Sequence, residues 1–362
     1  MSRVLVAMSG GVDSSVAAAL LLEQGHEVVG VTMKLWGGES DSGCCSVSDV
    51  DDARRVADHL GIAHHVFNFG DDFARDVIDP YVASHQAGLT PNPCIECNRH
   101  LKFDRLLRRA DALGFDHVAT GHHVRIGHDA SGRPHLQRGH DLAKDQSYVL
   151  YVVPGSVLGR VSFPIGHVTK DEVRAEAARL GLKIASKPDS QDVCFITSTQ
   201  GRSGFLDGRV DLHPGEIVDE SGARVGSVDA VELVTIGQRR GLDLGGFDTP
   251  RYVVDVDVSE ARVTIGDKAA LHSDSVTLEQ VVWAHDPIEG EVLVQCSAHG
   301  EPLPGRVSIE GAGATVTFDR PRRRIAPGQS VVLYHDDLVV GGGVAVRSSA
   351  TVPDPTRSNS TQ

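Results

Sequence analysis

The sequence predicts an α/β fold, in which a parallel β-sheet covered by helices is followed by a small central mixed or β domain and a C-terminal β-barrel. Short apolar runs alternate with helical patterns through the first half of the chain, as in sheets built from β-α-β units. After residue 203 the pattern changes to short alternating strands broken by Gly, Pro and Asp. From residue 273 it consists of strands and turns, which is typical of a small barrel.

The first elements follow one another in β-α-β-α-β order. Apolar runs predict strands over 3–8, 27–33 and 64–69. Apolar residues at helical spacing predict helices over 14–24 and 48–60. Because parallel strands need a crossover connection, this order implies a parallel sheet with helices on both faces.

A second group of elements continues this layered domain. Apolar spacing predicts a helix over 103–113, followed by a strand at 117–119 and an amphipathic helix at 170–180. The polar face of the first helix carries four cations, Lys102, Arg105, Arg108 and Arg109. They form either a local patch for phosphate contacts or a solvated helix face.

These patterns divide the chain into four parts. The prediction is a layered domain over 1–203, a central domain over 204–272 and a barrel over 273–349. The last part, 350–362, is rich in Ser, Thr and Pro and is predicted to be a disordered tail.

Composition and charge argue against several classes of protein. The chain has 362 residues, 49 acidic and 35 basic, with a formal net charge of -14. This balance disfavours broad nonspecific nucleic-acid binding, which depends on clustered Lys and Arg, but leaves a local basic groove open. Apolar runs are too short for a membrane span or a signal peptide, so we expect a cytoplasmic protein without membrane association. Six cysteines in such a chain favour redox, metal-binding or catalytic chemistry over a disulfide scaffold.

A glycine-rich turn follows the first predicted strand, where residues 9–15 read Ser-Gly-Gly-Val-Asp-Ser-Ser. Glycines let backbone N–H groups approach an anion, and the following helix N-terminus favours negative charge, so the turn predicts a phosphate site. The alternative is a strand-to-helix connector with Ser14 as N-cap. The chain has no Gly-Lys dipeptide and no G-x-G-x-x-G, which excludes a Walker A loop and a dinucleotide fingerprint.

Three cysteines lie in motifs that suggest chemistry. Cys94-Ile-Glu-Cys97 follows the Pro-rich residues 90–93 and leads into the basic helix. A thiol at a helix start is acidified by the helix dipole and by nearby cations, so Cys97 is a candidate nucleophile. Cys194 stands in a third motif, Lys-Pro-Asp-Ser-Gln-Asp-Val-Cys. Taken singly, each cysteine is more typical of a small buried side chain.

Together the motifs resemble the tRNA-specific 2-thiouridylase family of the N-type PP-loop ATP pyrophosphatase superfamily. They occur in the family's order across residues 3–346, and the set is far more specific than any one motif. The matching segments are 8–15, 90–93, 97–98, 102–103, 119–122, 144–148, 189–190, 194–196, 236–241, 327–329 and 341–343.

The resemblance implies a Rossmann-like N-terminal domain of the adenine nucleotide alpha hydrolase type. ATP, with Mg2+ on its phosphates, would adenylate the 2-oxygen of the wobble uridine in the tRNA anticodon loop. Sulfur from a cysteine persulfide would then replace that oxygen, giving 2-thiouridine, AMP and pyrophosphate. The implied partners are tRNA and a cysteine desulfurase or sulfur-relay protein, and the enzyme is expected to be a monomer.

The resemblance also implies roles for individual residues. Cys194 would carry the persulfide, and Cys97 would attack it and form a transient disulfide. The implied ATP-binding residues are Ala7, Met8, Ser9, Gly10, Gly11, Val12, Asp13, Ser14, Met33 and Gly121. The implied tRNA contacts are Asn92, Pro93, Cys94, His122, Lys144, Asp145, Gln146 and Gln329.

Other interpretations stay open. Many family members have Asp in place of Cys94, so Cys94, Cys97 and Cys194 could instead hold a 4Fe–4S cluster that leads to the same product. Two further alternatives are a small-molecule adenylating ligase or amidotransferase of the PP-loop group, and a noncatalytic nucleotide- or RNA-binding module. Residues 297–303 lack the Arg-Tyr pair that the family's barrel usually carries for tRNA.

The remaining cysteines and a group of histidines have no assigned role. Cys44 and Cys45 are adjacent and therefore poor joint ligands, and Cys296 lies in an alternating strand and is predicted to be structural. Five histidines between residues 122 and 140 lack metal-ligand spacing and are predicted to be surface or loop residues.

Overall fold

Three sheets organise the residues that the computed structural model describes, which are 1–36, 47–189, 193–196, 199–244 and 246–347. The predictions that lie outside them concern Cys44, Cys45, Ser190 and 350–362. Within the described ranges, no helix is long and apolar enough to cross a membrane.

The layered domain alternates strands and helices. Its elements in chain order are β1 (Arg3–Ala7), α1 (Val12–Glu23), β2 (Glu27–Lys34), α2 (Val47–Leu60), β3 (Ala63–Asn68), α3 (Gly70–Phe73), α4 (Asp79–Gln86), α5 (Pro93–Glu96), α6 (Leu106–Ala112), β4 (His117–Thr120), β5 (Val124–His128), β6 (Pro134–Arg138), α7 (Ser147–Leu150), β7 (Val161–Ser162), α8 (Lys170–Arg179) and α9 (Gly201–Leu206). Two π-helical segments, Ala74–Ile78 and Cys97–Arg105, and two 3-10 segments, Gly155–Arg160 and Lys183–Ser186, lie between them.

The first sheet confirms the predicted parallel topology. Its order is β3-β2-β1-β4-β7, and its pairings are parallel. β1 has β2 on one side and β4 on the other, so the strand order reverses at β1. Ligands of open α/β sheets bind at the carboxyl ends of the strands that flank such a reversal. The loops that follow Ala7 and Thr120 therefore border the expected site.

Both faces of this sheet are covered by apolar cores. Val4 and Val6 belong to the core on one face, whereas Leu5 between them belongs to the core on the other. Successive side chains of a strand point to opposite faces, so a strand buried on both faces needs an unbroken apolar run. The run that begins the chain meets this requirement.

Three features of the layered domain differ from the sequence prediction. The helix predicted over 103–113 is the end of a continuous helical stretch that begins at Pro93. The helical stretch from Gly70 to Gln86 and the hairpin of β5 and β6 were not predicted.

The central domain is a mixed sheet, as predicted. Its strands are β8 (Gly215–Val218), β9 (Arg224–Val228), β10 (Asp243–Leu244), β11 (Tyr252–Asp257) and β12 (Arg262–Gly266). The order is β10-β9-β8-β12-β11, with β8 and β12 parallel and the other pairs antiparallel. Short 3-10 segments, Val231–Leu233 and Ala269–Leu271, connect it.

The predicted C-terminal barrel is confirmed. Its strands are β13 (His272–Trp283), β14 (Gly290–Gln295), β15 (Leu303–Glu310), β16 (Gly313–Arg323), β17 (Ser330–His335) and β18 (Leu338–Ala345). They follow the order β13-β16-β15-β14-β17-β18 and close through β13 and β18. Gln137 of β6 pairs with Leu338 of β18, so a hairpin of the layered domain extends the barrel's sheet.

A buried hydrogen-bond network joins the layered domain to the barrel. The Tyr148 hydroxyl donates to Ser330 O at 2.7 Å. The Tyr334 hydroxyl donates to Gln295 Oε1 at 2.8 Å and lies 3.1 Å from Ser147 Oγ. Because Tyr334 is fully buried, water does not compete for these bonds, and they fix α7 against the barrel.

We expect Tyr334→Phe to lower the free energy of unfolding by about 1–3 kcal/mol, because Gln295 and Ser147 each lose a buried partner. Chemical denaturation measures this loss. The matched control is Tyr81→Phe, since the Tyr81 hydroxyl makes no hydrogen bond with the described residues and its ring packs on Phe195. An equal change in both variants would contradict a stabilising network.

Candidate active site

The predicted phosphate loop lies between β1 and α1. Gly10 has a φ of +72°, and a Cβ there would lie 2.3 Å from Asp49 O, so neither the conformation nor the space suits a larger residue. Ser14 Oγ accepts a hydrogen bond from Ser9 N at 3.1 Å and donates one to Gly11 O at 3.2 Å. These two bonds hold the turn closed.

The first helix begins earlier than predicted. α1 starts at Val12, with Gly11 as its N-cap. The alternative interpretation of Ser14 as N-cap is therefore wrong. Because Gly11 supplies no side-chain cap, the first amides of α1 can serve an anion in that place.

Gly121, in the loop after β4, lies directly against this turn. A Cβ at Gly121 would lie 2.5 Å from Ser14 N and 2.6 Å from Asp13 C. The loops after β1 and β4 thus meet where the strand order reverses. Met33, which the resemblance places beside adenine, is buried in β2, the strand next to β1.

Asp13 belongs to a charge network at the start of α8. Lys170 Nζ lies 2.8 and 2.7 Å from the two carboxylate oxygens of Asp13, and 2.8 Å from Asp189 Oδ1. His123 Nε2 lies 3.2 Å from Asp13 Oδ1. Burial opposes ionisation, but hydrogen bonds with His123 and Lys170 lower the pKa of Asp13 below its usual value. The Lys170 side chain is 8% exposed, so its ammonium has exchanged water for three carboxylate oxygens.

Asp189 is the centre of a group of three cations. Besides Lys170, Lys144 Nζ lies 2.9 Å and Arg174 2.8 Å from its carboxylate. Burial alone would raise its pKa, but hydrogen bonds from Lys170 and Lys144 outweigh it and lower the pKa of Asp189 to about 2. The carboxylate is therefore ionised at neutral pH.

Lys187 connects the same segment to the phosphate loop itself. Its Nζ donates to Gly10 O at 3.1 Å. It also lies 2.7 Å from the carboxylates of Asp49 and Asp52. Lys187 therefore contacts the backbone of the phosphate loop directly. Asp189 is linked to the loop through Lys170, which also binds Asp13.

The two thiols of the Cys-x-x-Cys motif lie on one helical stretch. Asn92 is the N-cap, and its side chain accepts a hydrogen bond from Cys94 N at 3.1 Å. Cys94 is exposed in the first turn, whereas Cys97 is buried one turn further on. The prediction that Cys97 stands at a helix start is wrong, because the helix already begins at Pro93.

The Cys194 segment is anchored by an aromatic cluster. Phe195 is 2% exposed, and its ring centroid lies 5.4 Å from that of Tyr81 and 4.9 Å from that of Phe205. Cys194 is half-buried and packs on the same apolar core as Cys97. The structure thus brings the two predicted catalytic thiols, 97 residues apart in the chain, to one core.

Cys94 is exposed and acts electrostatically on Tyr81, a member of this cluster. Burial raises the pKa of Tyr81, and the nearby Cys94 thiol contributes to that rise. Tyr81 in turn packs on Phe195, next to Cys194. The Cys-x-x-Cys turn and the Cys194 segment therefore share a neighbour.

Four of the residues predicted to contact tRNA lie where the layered domain meets the barrel. Thr90 N donates to Pro327 O at 2.8 Å, so the loop before α5 touches the barrel loop before β17. Asn92 and Gln329 lie in these two loops, and Pro93 and Cys94 lie in the first turn of α5, which follows the first loop. Their role towards tRNA stays a prediction.

The other four predicted contacts are His122, in the loop after β4, and residues 144–146, in the turn before α7. Asp145 has a side chain only 4% exposed, and it accepts hydrogen bonds from Arg138, Gly139 N and the Ser147 hydroxyl. Gln146 Oε1 accepts a bond from His123 N at 2.9 Å. These contacts order the 144–147 turn and leave Lys144 at the Asp189 group.

His122 is enclosed rather than presented to solvent. It packs between the rings of Phe103 and Phe163, and Thr120 Oγ1 lies 2.7 Å from its Nδ1. Burial, with a contribution from Lys102, holds the pKa of His122 well below its usual value. The imidazole is therefore neutral at physiological pH.

Two sequence interpretations about charged surface residues change. His122 and His123 lie in the loop between β4 and β5, as predicted, but are buried there, whereas His135 is buried within β6, so the prediction of a surface or loop histidine is wrong for His135. Two of the four cations of the helix face are paired with carboxylates, because Arg105 lies 3.5 Å from Asp72 and Arg108 lies 2.5 Å from Asp104. In the part of the chain that the structure describes, no group of three His, Cys, Asp or Glu side chains could hold a metal ion.

Sequence reasoning missed Lys170 and Lys187. A signal for Lys170 was present, since it follows the capping-box residue Thr169 and occupies the first turn of α8. The helix dipole disfavours a cation in the first turn of a helix. The carboxylates of Asp13 and Asp189 offset this effect by pairing with the Lys170 ammonium.

Three protein-family models match consecutive parts of the chain. Residues 2–198 match the family described as "tRNA methyl transferase HUP domain", residues 203–267 the "tRNA methyl transferase PRC-barrel domain" and residues 273–345 the "Aminomethyltransferase beta-barrel domain". A "tRNA-specific 2-thiouridylase MnmA" from Chloroflexus aurantiacus is 48% identical over 356 residues, 96% of this chain and 99% of that one. One of the same name from Thermobifida fusca is 45% identical over 355 residues, 96% of each.

Solved structures resemble the chain more distantly. The U34-tRNA thiolase NcsA from Methanococcus maripaludis, with its 4Fe-4S cluster, has a TM-score of 0.37 and 20% identity. That likeness covers 57% of this chain and 64% of the other. It supports no argument about the site.

Proposed function

The chain belongs to the tRNA-specific 2-thiouridylase family, and from this premise we propose that it uses ATP to replace the 2-oxygen of the wobble uridine of tRNA with sulfur. The observation that supports the proposal is that the predicted nucleotide site and the two predicted catalytic thiols lie in one domain. A phosphate loop lies at the reversal of the parallel sheet, and the thiols of Cys97 and Cys194 pack on a core of the same sheet. A segment that holds Lys187 and Asp189 connects the two.

The phosphate loop supplies the first half-reaction. The uridine 2-oxygen attacks the α-phosphorus of ATP, the bond to the β-phosphate breaks, and pyrophosphate leaves. The amides of α1 and the Lys170 ammonium stabilise the charge that the phosphates carry. The oxygen, otherwise a poor leaving group, then departs as part of AMP.

The two thiols supply the second half-reaction. Cys194 carries an outer sulfur as a persulfide, which a donor protein provides. The Cys97 thiolate attacks the inner sulfur of Cys194, which forms the Cys97–Cys194 disulfide and releases hydrosulfide. The hydrosulfide attacks C2 of the activated base and AMP leaves. Two electrons from a dithiol reductant then restore both thiols.

The residues fit Mg2+ as an ion carried by the phosphates. Mg2+ commonly binds through one or two carboxylates together with substrate phosphates, and Asp13 is the carboxylate of the loop. When bound, the ion would neutralise phosphate charge. The residues fit an iron–sulfur cluster poorly, because Cys94 is exposed, Cys97 is buried and no three-ligand group exists among the described residues.

The test of this function is an assay with purified protein, transcript tRNA, ATP and a chemical persulfide donor. We expect 2-thiouridine at the wobble position and AMP in equal amount, measured by mass spectrometry and chromatography. Preparation without oxygen, followed by iron and sulfide analysis, tests the cluster alternative. Product without iron supports the persulfide route, whereas product that depends on iron overturns it.

Cys94→Asp sharpens this distinction. The persulfide route does not use the Cys94 thiol, and many family members have Asp at this position, so we expect Cys94→Asp to keep 2-thiouridine formation within about tenfold of wild type, the effect of one altered tRNA contact of at most about 1.4 kcal/mol. A cluster route would lose one of its three thiolate ligands and most of its activity. The measurement is the same thiolation assay, and loss of product would favour the cluster.

Three further predictions belong to this proposal. The tRNA anticodon loop is the substrate region, because unpaired bases can be turned into a pocket without opening a duplex. A cysteine desulfurase or sulfur-relay protein is the sulfur donor. The enzyme acts as a cytoplasmic monomer.

A further inference from the structure

The phosphate loop presents backbone amides that the protein itself does not use. Among the described residues, the N–H groups of residues 10–14 find no hydrogen-bond acceptor, whereas Ser9 N donates to Ser14 Oγ at 3.1 Å. A backbone donor without a protein acceptor needs water or a ligand, and donors at the N-terminus of a helix favour an anion. These amides are therefore the groups that can bind the phosphates of ATP.

Lys187 fixes the orientation of one peptide group in this row. Its Nζ donates to Gly10 O at 3.1 Å. The described residues contain no cis peptide bond, and in a planar trans peptide the C=O and the N–H that follows it point in opposite directions. The Gly11 N–H therefore points away from the Lys187 ammonium.

Without this bond, the peptide group between Gly10 and Gly11 could turn over. Such a turn changes only ψ of Gly10 and φ of Gly11, and glycine adopts backbone angles that other residues avoid. Gly10 has a φ of +72° and Gly11 a φ of -93°. Because neither residue has a side chain that resists the rotation, a partner for the carbonyl is needed to keep the N–H on one side. Lys187 is that partner.

Lys187 is itself held in place at both ends. Its backbone N–H donates to Ile184 O at 2.9 Å, and its carbonyl accepts a bond from Arg174 Nη1 at 3.0 Å. Its ammonium lies 2.7 Å from the carboxylates of Asp49 and Asp52 in α2. Burial alone would lower the pKa of Lys187, but hydrogen bonds with these two carboxylates outweigh it and raise the pKa above its usual value. The three N–H donors of the ammonium thus match three acceptors, which are the loop carbonyl and the two carboxylates.

Resting on the function proposed above, we infer that Lys187 is a positioning residue of the first half-reaction, whose bond to Gly10 O aims the Gly11 N–H at the pyrophosphate part of ATP. An amide that is already oriented stabilises the charge on the leaving pyrophosphate without reorganisation at the moment of reaction. Lys187 acts through this peptide group and does not itself bind the phosphates.

The first experiment needs no variant. In the full wild-type chain, produced with isotope-labelled glycine, NMR follows the amide proton of Gly11 while inorganic pyrophosphate or adenosine is added. Pyrophosphate should move the Gly11 resonance downfield, because the N–H then donates to an anion. Adenosine, which has no phosphate, should leave the resonance in place. A Gly11 resonance that pyrophosphate does not move overturns the inference.

Lys187→Met tests the connection between this side chain and the loop. Met keeps most of the side-chain length without a donor, so the Kd for pyrophosphate should rise at least about tenfold, as for the loss of one hydrogen bond to a charged group. The shift of the Gly11 resonance should shrink, and the Kd for adenosine should stay unchanged. A merely structural defect would weaken the binding of both ligands together. That result overturns the inference, as does an unchanged Kd for pyrophosphate.

The matched control is Arg55→Met. Arg55 Nη2 lies 2.7 Å from Asp52, so this variant also removes one positive charge beside Asp52 but leaves the bond from Lys187 to Gly10 O in place. It should bind pyrophosphate as wild type does, and an equal loss in both variants would assign the effect to charge alone and overturn the inference. Wild type that binds pyrophosphate as expected but makes no 2-thiouridine in the thiolation assay would overturn the proposed function alone.

Discussion

Cys194→Ala should form no measurable 2-thiouridine, with a rate below about one thousandth of that of wild type, because removal of a nucleophile costs catalysis of this order or more. Cys97→Ala should lose product to the same extent, because no thiol remains to release the outer sulfur of Cys194. Release of pyrophosphate from ATP in the presence of tRNA should persist in both variants, since neither side chain belongs to the phosphate loop, while AMP stays bonded to the uridine because no sulfur displaces it. The measurements are the amounts of pyrophosphate, adenylated tRNA and 2-thiouridine.

Cys296→Ala is the control for these two variants. Burial raises the pKa of the Cys296 thiol to about 11, so this side chain stays protonated and unreactive at neutral pH. It packs on the barrel core and should keep its activity when replaced. Normal thiolation by Cys194→Ala would contradict the assignment of the sulfur carrier. Loss of pyrophosphate release together with 2-thiouridine in Cys97→Ala would place that thiol in the adenylation step.

Sequence patterns predicted those elements whose residue types are required by their immediate surroundings. The unbroken apolar run of β1 is required by burial on both faces, and the glycines at 10 and 121 permit a close approach of backbones. The parallel sheet, the glycine-rich turn between β1 and α1 and the barrel therefore followed from the sequence.

Long-range contacts account for what the sequence did not predict. The hairpin of β5 and β6 has its own alternating pattern, but its pairing of Gln137 with Leu338 joins residues far apart in the chain. Lys170 looks like one more exposed lysine of an amphipathic helix until Asp13 is placed beside it. Partners so distant in sequence leave no periodic signal at either position.

The start of the helix at Pro93 shows a different cause of error. The sequence predicts a helix only from residue 103, after the Pro-rich residues 90–93, yet Pro is favoured in the first helical turn, where its missing N–H is not needed. Asn92 is the N-cap of this helix, so the Asn-Pro motif is as typical of a helix start as it is of a loop. This shift moves Cys97 from the helix start to the buried second turn.

Gly121→Ala should abolish the first half-reaction, because the added methyl group has no room. Its Cβ would lie 2.5 Å from Ser14 N, 2.6 Å from Asp13 C and 2.8 Å from Ser14 Cα. These atoms are backbone at the start of α1 and cannot turn aside as a side chain would. The phosphate loop must move as a whole, and a displacement of about 1 Å in a positioned reactant can cost about 100-fold in rate. Overpacking of this kind also destabilises by about 1–3 kcal/mol.

The measurement that checks it is AMP formation with tRNA at saturating and subsaturating ATP, together with thermal unfolding. Gly159→Ala is the matched control, since no atom lies within 4 Å of the Cβ that it would add. The control should keep wild-type kinetics and stability. In Gly121→Ala, the rate of AMP formation should fall and the KM for ATP should rise. Alkylation of Cys97 and Cys194 should still occur, because these thiols pack on the core that covers the other face of the sheet. Unchanged AMP formation in a folded Gly121→Ala protein would mean that nucleotide is not bound where β1 and β4 end, and the adenylation site would have to be sought elsewhere.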